Sequence, residues 1–201
     1  MEDQFSSNIY YLVRHGEAEN NVLNVLNASI KGQYGLTERG QRQIEALGEW
    51  LADRPLDFIV ASPILRTKES ALLLAEKLSL PLSLDARLCE PRFGQFEGGD
   101  IQTFLDFMQT HGGRTAGDPA LGIDGYMDIR ARVRAFLTDL NHTFQGKQVV
   151  IVSHMDVLQE LYAELAGEPV GGEQGEGHWH PRQGSVCIMY PDQKPEFFEP
   201  H

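Results

Sequence analysis

Cysteine is nearly absent from this chain. Of 201 residues only Cys89 and Cys187 are cysteines, too few for a disulfide scaffold and without a C-x-x-C pair for zinc or redox chemistry. Both are read as reduced thiols with a packing role. Long hydrophobic runs are missing as well. Hydrophobic residues make up 41%, yet no apolar stretch approaches the roughly 20 residues a membrane helix needs. The opening Met1-Glu2-Asp3-Gln4 is acidic where a secretory signal would be basic, so a cytoplasmic location is expected. Positive charge is scarce: 17 Lys and Arg stand against 29 Asp and Glu, a formal net charge of -12. That argues against nucleic acid and anionic membranes as partners. No G-x-x-x-x-G-K-[ST], strand-linked G-x-G-x-x-G, G-x-S-x-G or H-E-x-x-H occurs, which removes several nucleotide, hydrolase and zinc chemistries. A cysteine phosphatase needs Arg six residues after its Cys, and Gln95 and Gln193 stand there instead.

What is present alternates strands with helices. Ile9-Tyr10-Tyr11-Leu12-Val13, Leu56 to Ala61 and Gln148 to Ser153 are continuous apolar, β-branched runs, the pattern of strands buried on both faces. Leu82-Ser83-Leu84 predicts a short strand, and Ser185 to Tyr190 another near the sheet edge. Thr37 is the N-cap candidate for a helix over 38–52, and Ser62-Pro63 reads as N-cap and first residue of a helix reaching Leu80. A helix carrying Val157, Leu158, Leu161, Tyr162 and Leu165 is closed by Gly167. Between residues 91 and 146 the strand signal disappears, while Ile101 to Met108 and Ile129 to Leu140 show helical spacing. The expected class is α/β: a three-layer α/β/α sandwich with a mostly parallel central sheet and a helical insertion over its C-terminal edge. A single domain over 1–201 is expected, of which about 91–128 forms the lid or insertion. Six glycines and two prolines between Gly167 and Gly184 predict an irregular loop.

Three polar clusters stand at the carboxyl ends of three predicted strands, where open α/β sheets bind ligands. They are Arg14-His15-Gly16, Ser62 with Arg66, and Ser153-His154. Two guanidiniums and two imidazoles at one rim of an acidic protein make a local anion site, because Arg offers a planar fork to phosphate oxygens and imidazole serves as nucleophile, acid or base near neutral pH. Glu90, just beyond the short third strand, can reach the same rim. Each residue alone has a plain structural reading, as a solvated charge or a satisfied core histidine. Their number at one rim is what favours chemistry. His178-Trp179-His180 with Glu173 and Glu176 is a weak metal signal in a glycine-rich loop, and no metal site is assigned.

At this point the chain resembles the histidine phosphatase superfamily, also called phosphoglycerate-mutase-like. Five of its motifs occur in order: Arg14-His15-Gly16-Glu17 with Asn21, Leu36-Thr37-Glu38-Arg39-Gly40, Ser62 with Arg66, Glu90 through Phe93-Gly94 to Glu97-Gly98, and Ser153-His154. The departures are Met155-Asp156 after the late His, where Gly and a small residue are usual, Ala18 for Thr or Ser, and Gly35 for a frequent Pro. The resemblance implies that His15 attacks phosphorus and becomes phosphohistidine. It further implies that Arg14, Asn21, Arg66 and His154 hold the phosphoryl oxygens, and that Glu90 protonates the leaving group and then activates water. For the first task Glu90 needs a raised pKa. No metal and no cofactor are implied, since two Arg and a charged His154 neutralise the phosphoryl group. The expected function is hydrolysis of a small-molecule phosphate ester, the phosphatase branch. The rivals are a phosphoglycerate mutase and a catalytically poor phosphate-ester-binding module; a homodimer is compatible with the sequence. Arg92 and Arg114 are the only Lys or Arg from Pro91 to Asp128, against six acids, whereas mutases of the family carry extra basic residues there. Phe93, Phe96, Phe104, Leu105, Phe107 and Met108 instead offer contacts to a neutral or aromatic leaving group.

Overall fold

The computed structural model describes residues 7–32, 34–171 and 179–200. Six strands, β1 (Ile9–Arg14), β2 (Phe58–Ala61), β3 (Leu82–Leu84), β4 (Gln148–Ser153), β5 (Val186–Met189) and β6 (Glu196–Phe198), form one sheet in the order β3-β2-β4-β1-β5-β6. The first four are parallel, β5 runs antiparallel to β1, and β6 runs antiparallel to β5. The helices are α1 (Glu19–Val22), α2 (Glu38–Leu51), α3 (Leu65–Leu78), α4 (Ile101–Thr110), α5 (Tyr126–Thr143) and α6 (Met155–Ala166).

Strand side chains alternate between two cores, which is why the apolar runs are continuous. Tyr10, Leu12, Val149 and Ile151 pack against α5 and α6 through Val133, Phe136, Val157 and Leu161. Tyr11, Val13, Val150 and Val152 face the other way, onto Ile44, Leu47, Ala71 and Leu74 of α2 and α3. The sheet is therefore sandwiched between helix layers, as expected. A third, smaller cluster joins Leu26 of the loop after β1 to Phe93, Phe104, Met108 and Ile123. Backbone bonds from Leu26 N to Gly99 O (2.9 Å) and Gly98 N to Leu26 O (2.9 Å) fasten that loop to the segment leading into α4. No helix among the described residues is long and apolar enough to cross a membrane.

One local expectation needs correction. Thr37 caps α2 through Gly40 N at 3.0 Å, and Gly167 closes α6 at a φ of 71°, but Ser62 is not the cap of α3. That helix begins at Leu65 behind Ile64, because the Ser62 hydroxyl is held by His154 and by Ile64 N. The Ser185–Tyr190 run supplies β5 near the sheet edge, as expected, with only β6 outside it. Glu173, Glu176 and His178 lie outside the described residues, while Trp179 is buried in the α5–α6 core.

Candidate active site

The R-H-G and T-x-x-G motifs exist for each other. A Cβ on Gly16 would fall 2.3 Å from Gly40 O, and one on Gly40 would fall 2.0 Å from Glu17 O. Only a pair of glycines lets the start of α2 approach the loop after β1 this closely. Glu17 locks the contact by accepting from Thr37 Oγ1 at 2.8 Å and Arg39 Nη1 at 3.0 Å. His15 is thereby fixed at the strand end. Its N–H donates to Ser153 O at 3.2 Å, its Nδ1 donates to Gly16 O at 2.7 Å, and the ring is 1% exposed.

With Nδ1 carrying the proton, Nε2 holds the lone pair. Arg66 donates to it through Nε at 3.1 Å. The same guanidinium donates from Nη1 to Asn27 Oδ1 and from Nη2 to Asn27 O, both at 3.0 Å, and from Nη2 to His154 Nδ1 at 3.0 Å. Glu90 Oε2 stands 3.3 Å from Nη2. Arg66 is thus the hub that brings His15, His154 and Glu90 together. Because Arg66 can only donate, His154 accepts at Nδ1, leaving Nε2–H to donate to Ser62 Oγ at 2.9 Å.

Glu90 is placed by its neighbours in the chain. Arg132 Nη1 donates to the carbonyls of Arg87 (3.1 Å) and Cys89 (3.0 Å), and Ser153 Oγ donates to Leu88 O at 2.8 Å. Those bonds hold the segment that carries Glu90 against the end of β4. Arg14 donates from Nη1 to Pro181 O at 2.9 Å, with Met155 Sδ at 3.6 Å. Its Nε is buried without a partner among the described residues. Asn21 Oδ1 accepts from Ala18 N at 3.0 Å, which leaves its NH2 as the donor.

Arg14, Asn21, Arg66 and Glu90 line one cavity of about 200 Å³, with His15 and His154 packed behind Arg66. Phe93, Phe104 and Leu105 form part of its wall, while Met108 belongs to the core beneath. The electrostatics are uneven. Burial, then the Arg66 and Arg14 charges, hold the pKa of His15 well below the usual imidazole value. The same causes, burial and Arg66 first, do so for His154. Burial pushes the Glu90 carboxyl up to about 7, Asp156 adds to the rise, and Arg66, Arg114 and Arg14 oppose it. The site thus pairs a neutral imidazole with a carboxylic acid that ionises near neutral pH. The charged His154 expected from sequence is held neutral here.

Two residues went unassigned in the sequence. Asn27 fixes the Arg66 fork, and Glu97 fixes Asn27 by accepting from its Nδ2 (3.2 Å) and from Ala28 N (2.9 Å). Their partners lie about 40 and 70 residues away in the chain, a distance no local pattern reveals. Cys187 is buried and its thiol is pushed up to about 12 by burial; Cys89 Sγ stands 3.8 Å from Ser62 Oγ.

Arg14, Arg66, the two imidazoles and Glu90 thus cluster beyond the carboxyl ends of β1 and β4, a donor set suited to an anion. The histidine phosphatase superfamily (branch 1) matches residues 10–197, and the chain belongs to that superfamily, whose members here are phosphatase- or mutase-type enzymes. It is 28% identical over 160 residues to phosphoserine phosphatase 1 of Hydrogenobacter thermophilus, covering 78% of this chain and 75% of that protein. It is 29% identical over 172 residues to a probable phosphoglycerate mutase of Salmonella paratyphi A, covering 82% and 77%. The α-ribazole phosphatase structure from Shigella flexneri superposes with a TM-score of 0.74 at 27% identity, covering 90% of this chain and 89% of that one.

Proposed function

We propose that the protein is a phosphomonoesterase that hydrolyses small phosphate esters through a phosphohistidine on His15, with Glu90 as general acid and base. The observation that carries this reading is the pairing of a neutral His15, its lone pair on Nε2, with a Glu90 whose pKa is pushed up to about 7 beside the same arginine. A protonated imidazole cannot attack, and an ordinary carboxylate has no proton to give at neutral pH.

The ester's phosphoryl group displaces the Arg66 Nε–H from Nε2 and takes the guanidinium as a donor to its own oxygens. Arg14, through its unpartnered Nε, and Asn21, through its NH2, supply further donors. His154 can add a charged donor only by taking a proton at Nδ1, where it now accepts from Arg66. The dianionic phosphoryl group favours that protonation, against the burial and the Arg charges that oppose it. His15 Nε2 then forms a bond to phosphorus as the P–O bond to the alcohol breaks, and the Glu90 proton passes to the departing oxygen. In the second half, Glu90 removes a proton from water as its oxygen bonds to phosphorus and the N–P bond breaks. Inorganic phosphate leaves and His15 is restored. No step assigned to these side chains calls for a cofactor.

Within the family the competing outcome is a mutase, which returns the phosphoryl group to a carboxylate-bearing alcohol. Arg92, one of only two Lys or Arg in the 91–128 segment, is taken by Asp124 at 2.7 Å with its side chain 74% exposed, outside the cavity. The test is turnover of diverse phosphate esters by wild type and His15→Ala side by side, set against interconversion of 2- and 3-phosphoglycerate. Phosphate release that exceeds interconversion and vanishes in His15→Ala supports the reading. Bisphosphoglycerate-primed mutase turnover faster than phosphate release overturns it.

A further inference from the structure

The cavity contains an ion pair that the phosphoryl chemistry leaves unused. Arg114 enters on the loop between α4 and α5. Its guanidinium carbon stands 5.1 Å from the ring centroids of both Phe93 and Phe104, and its Nε donates to Asp124 O at 3.3 Å. Nη1 is paired with Asp156 of α6, the side chains being 10% and 14% exposed. Both residues line the cavity together with Glu90. The remaining donor, Nη2, is buried and has no partner among the described residues.

Several facts about this pair converge. A buried guanidinium nitrogen without an acceptor is costly to maintain, and Nη2 belongs to a residue that lines the cavity, where an acceptor can enter. Aromatic rings against the guanidinium and the Nε bond prevent it from swinging away. Asp156 raises and Arg114 lowers the Glu90 pKa, so both act at the acid that meets the departing oxygen, at the leaving-group end of the cavity. Arg114 and Asp156 cancel in charge: a lone carboxylate drawn to Arg114 meets the Asp156 anion, and a lone cation meets the reverse. An overall neutral group that both donates and accepts satisfies both at once. The volume, about 200 Å³, lies below the roughly 300 Å³ at which sites for drug-sized ligands begin, so the group is small.

We propose that Arg114 and Asp156 form the leaving-group subsite, selecting small alcohols, neutral overall, that give a hydrogen bond to Asp156 and accept one from Arg114 Nη2. A neighbouring hydroxyl meets this requirement, and so does an ammonium–carboxylate zwitterion. The proposal rests on the phosphomonoesterase reading of the same cavity.

The test compares kcat/KM within matched ester pairs: glycerol 1-phosphate against propyl phosphate for the hydroxyl source, and O-phosphoserine against 3-phosphoglycerate for the zwitterion. Phenyl phosphate serves as the general reference. Wild type should favour the first member of at least one pair by tenfold or more, and the pair that responds identifies the source. The double variant Arg114→Met/Asp156→Leu removes both charges together, so no buried ion is orphaned, and a thermal melt checks that it folds. Its preference should collapse to about threefold or less, a ratio that any general loss of activity cancels out of. Phenyl phosphate hydrolysed by wild type with neither pair discriminated, or a preference that persists in the double variant, overturns the subsite while the phosphatase reading stands. If no ester is turned over, the phosphatase reading falls and the subsite with it.

Discussion

Replacing Arg66 with Lys separates charge from geometry at the centre of the site. The guanidinium spans His15 Nε2 at 3.1 Å, both oxygens of Asn27 at 3.0 Å, His154 Nδ1 at 3.0 Å and Glu90 at 3.3 Å. A single ammonium keeps the charge but cannot fill a planar fork, so at most three of these partners stay bonded. Loss of preorganised donors to the phosphoryl oxygens should cost about 2 to 4 kcal/mol of transition-state stabilisation, or about 30- to 1,000-fold in kcat/KM. Arg66→Met should cost more, because the buried Glu90 also loses its facing cation. The assay is steady-state hydrolysis of phenyl phosphate with thermal melts to confirm folding, and vanadate affinity should fall in parallel. Near-wild-type kinetics in a folded Arg66→Lys protein would refute the role of the fork and place Arg66 outside catalysis.

The Glu90 pKa also sets a pH dependence of stability. Below its ordinary value of about 4.5 the carboxyl is protonated in both states, and between there and about 7 the folded protein keeps a proton that the unfolded chain has released. The stabilisation is therefore lost as pH rises through 7, amounting to about 3 kcal/mol by pH 8. Glu90→Gln should melt progressively higher than wild type from pH 5 to pH 8, by on the order of 10 °C at the top; a flat difference would contradict the burial of the charge. Asn27→Ala releases one tooth of the Arg66 fork and should lower kcat/KM about tenfold or more with little change in folding, and unchanged kinetics would show that the fork holds without it. Vanadate should inhibit turnover and EDTA should not; activity lost to EDTA and restored by a divalent metal would overturn the metal-free assignment.

The parts legible in the sequence are those where one local pattern has one physical cause. Gln148 to Ser153 reads as a strand because both its faces are buried, and the structure places β4 over the same residues. Thr37 and Gly167 were readable because capping chemistry is local. Where a residue's partner is distant, the reading slipped. Ser62 carries a good N-cap side chain, but its hydroxyl is engaged by His154 from 92 residues away, so α3 starts later. Glu19 to Val22, three polar residues and one valine, make a helix with no apolar period to announce it. The same division holds in the pocket. His15, Arg66 and His154 stand out by type and position near strand ends and Glu90 by the motif it opens, whereas Asn27, Glu97 and the Arg114–Asp156 pair acquire their roles only when loops distant in sequence are packed together.

The central claim is that the phosphoryl group passes through His15. Rapid mixing of enzyme with a phosphate ester labelled in the phosphoryl group, followed by an alkaline quench, should trap label that survives base and is lost in acid, as a phosphoramidate does. Peptide mapping should place it on His15, and His15→Ala should trap none. Label recovered on another residue, or turnover undiminished in His15→Ala, would contradict the account.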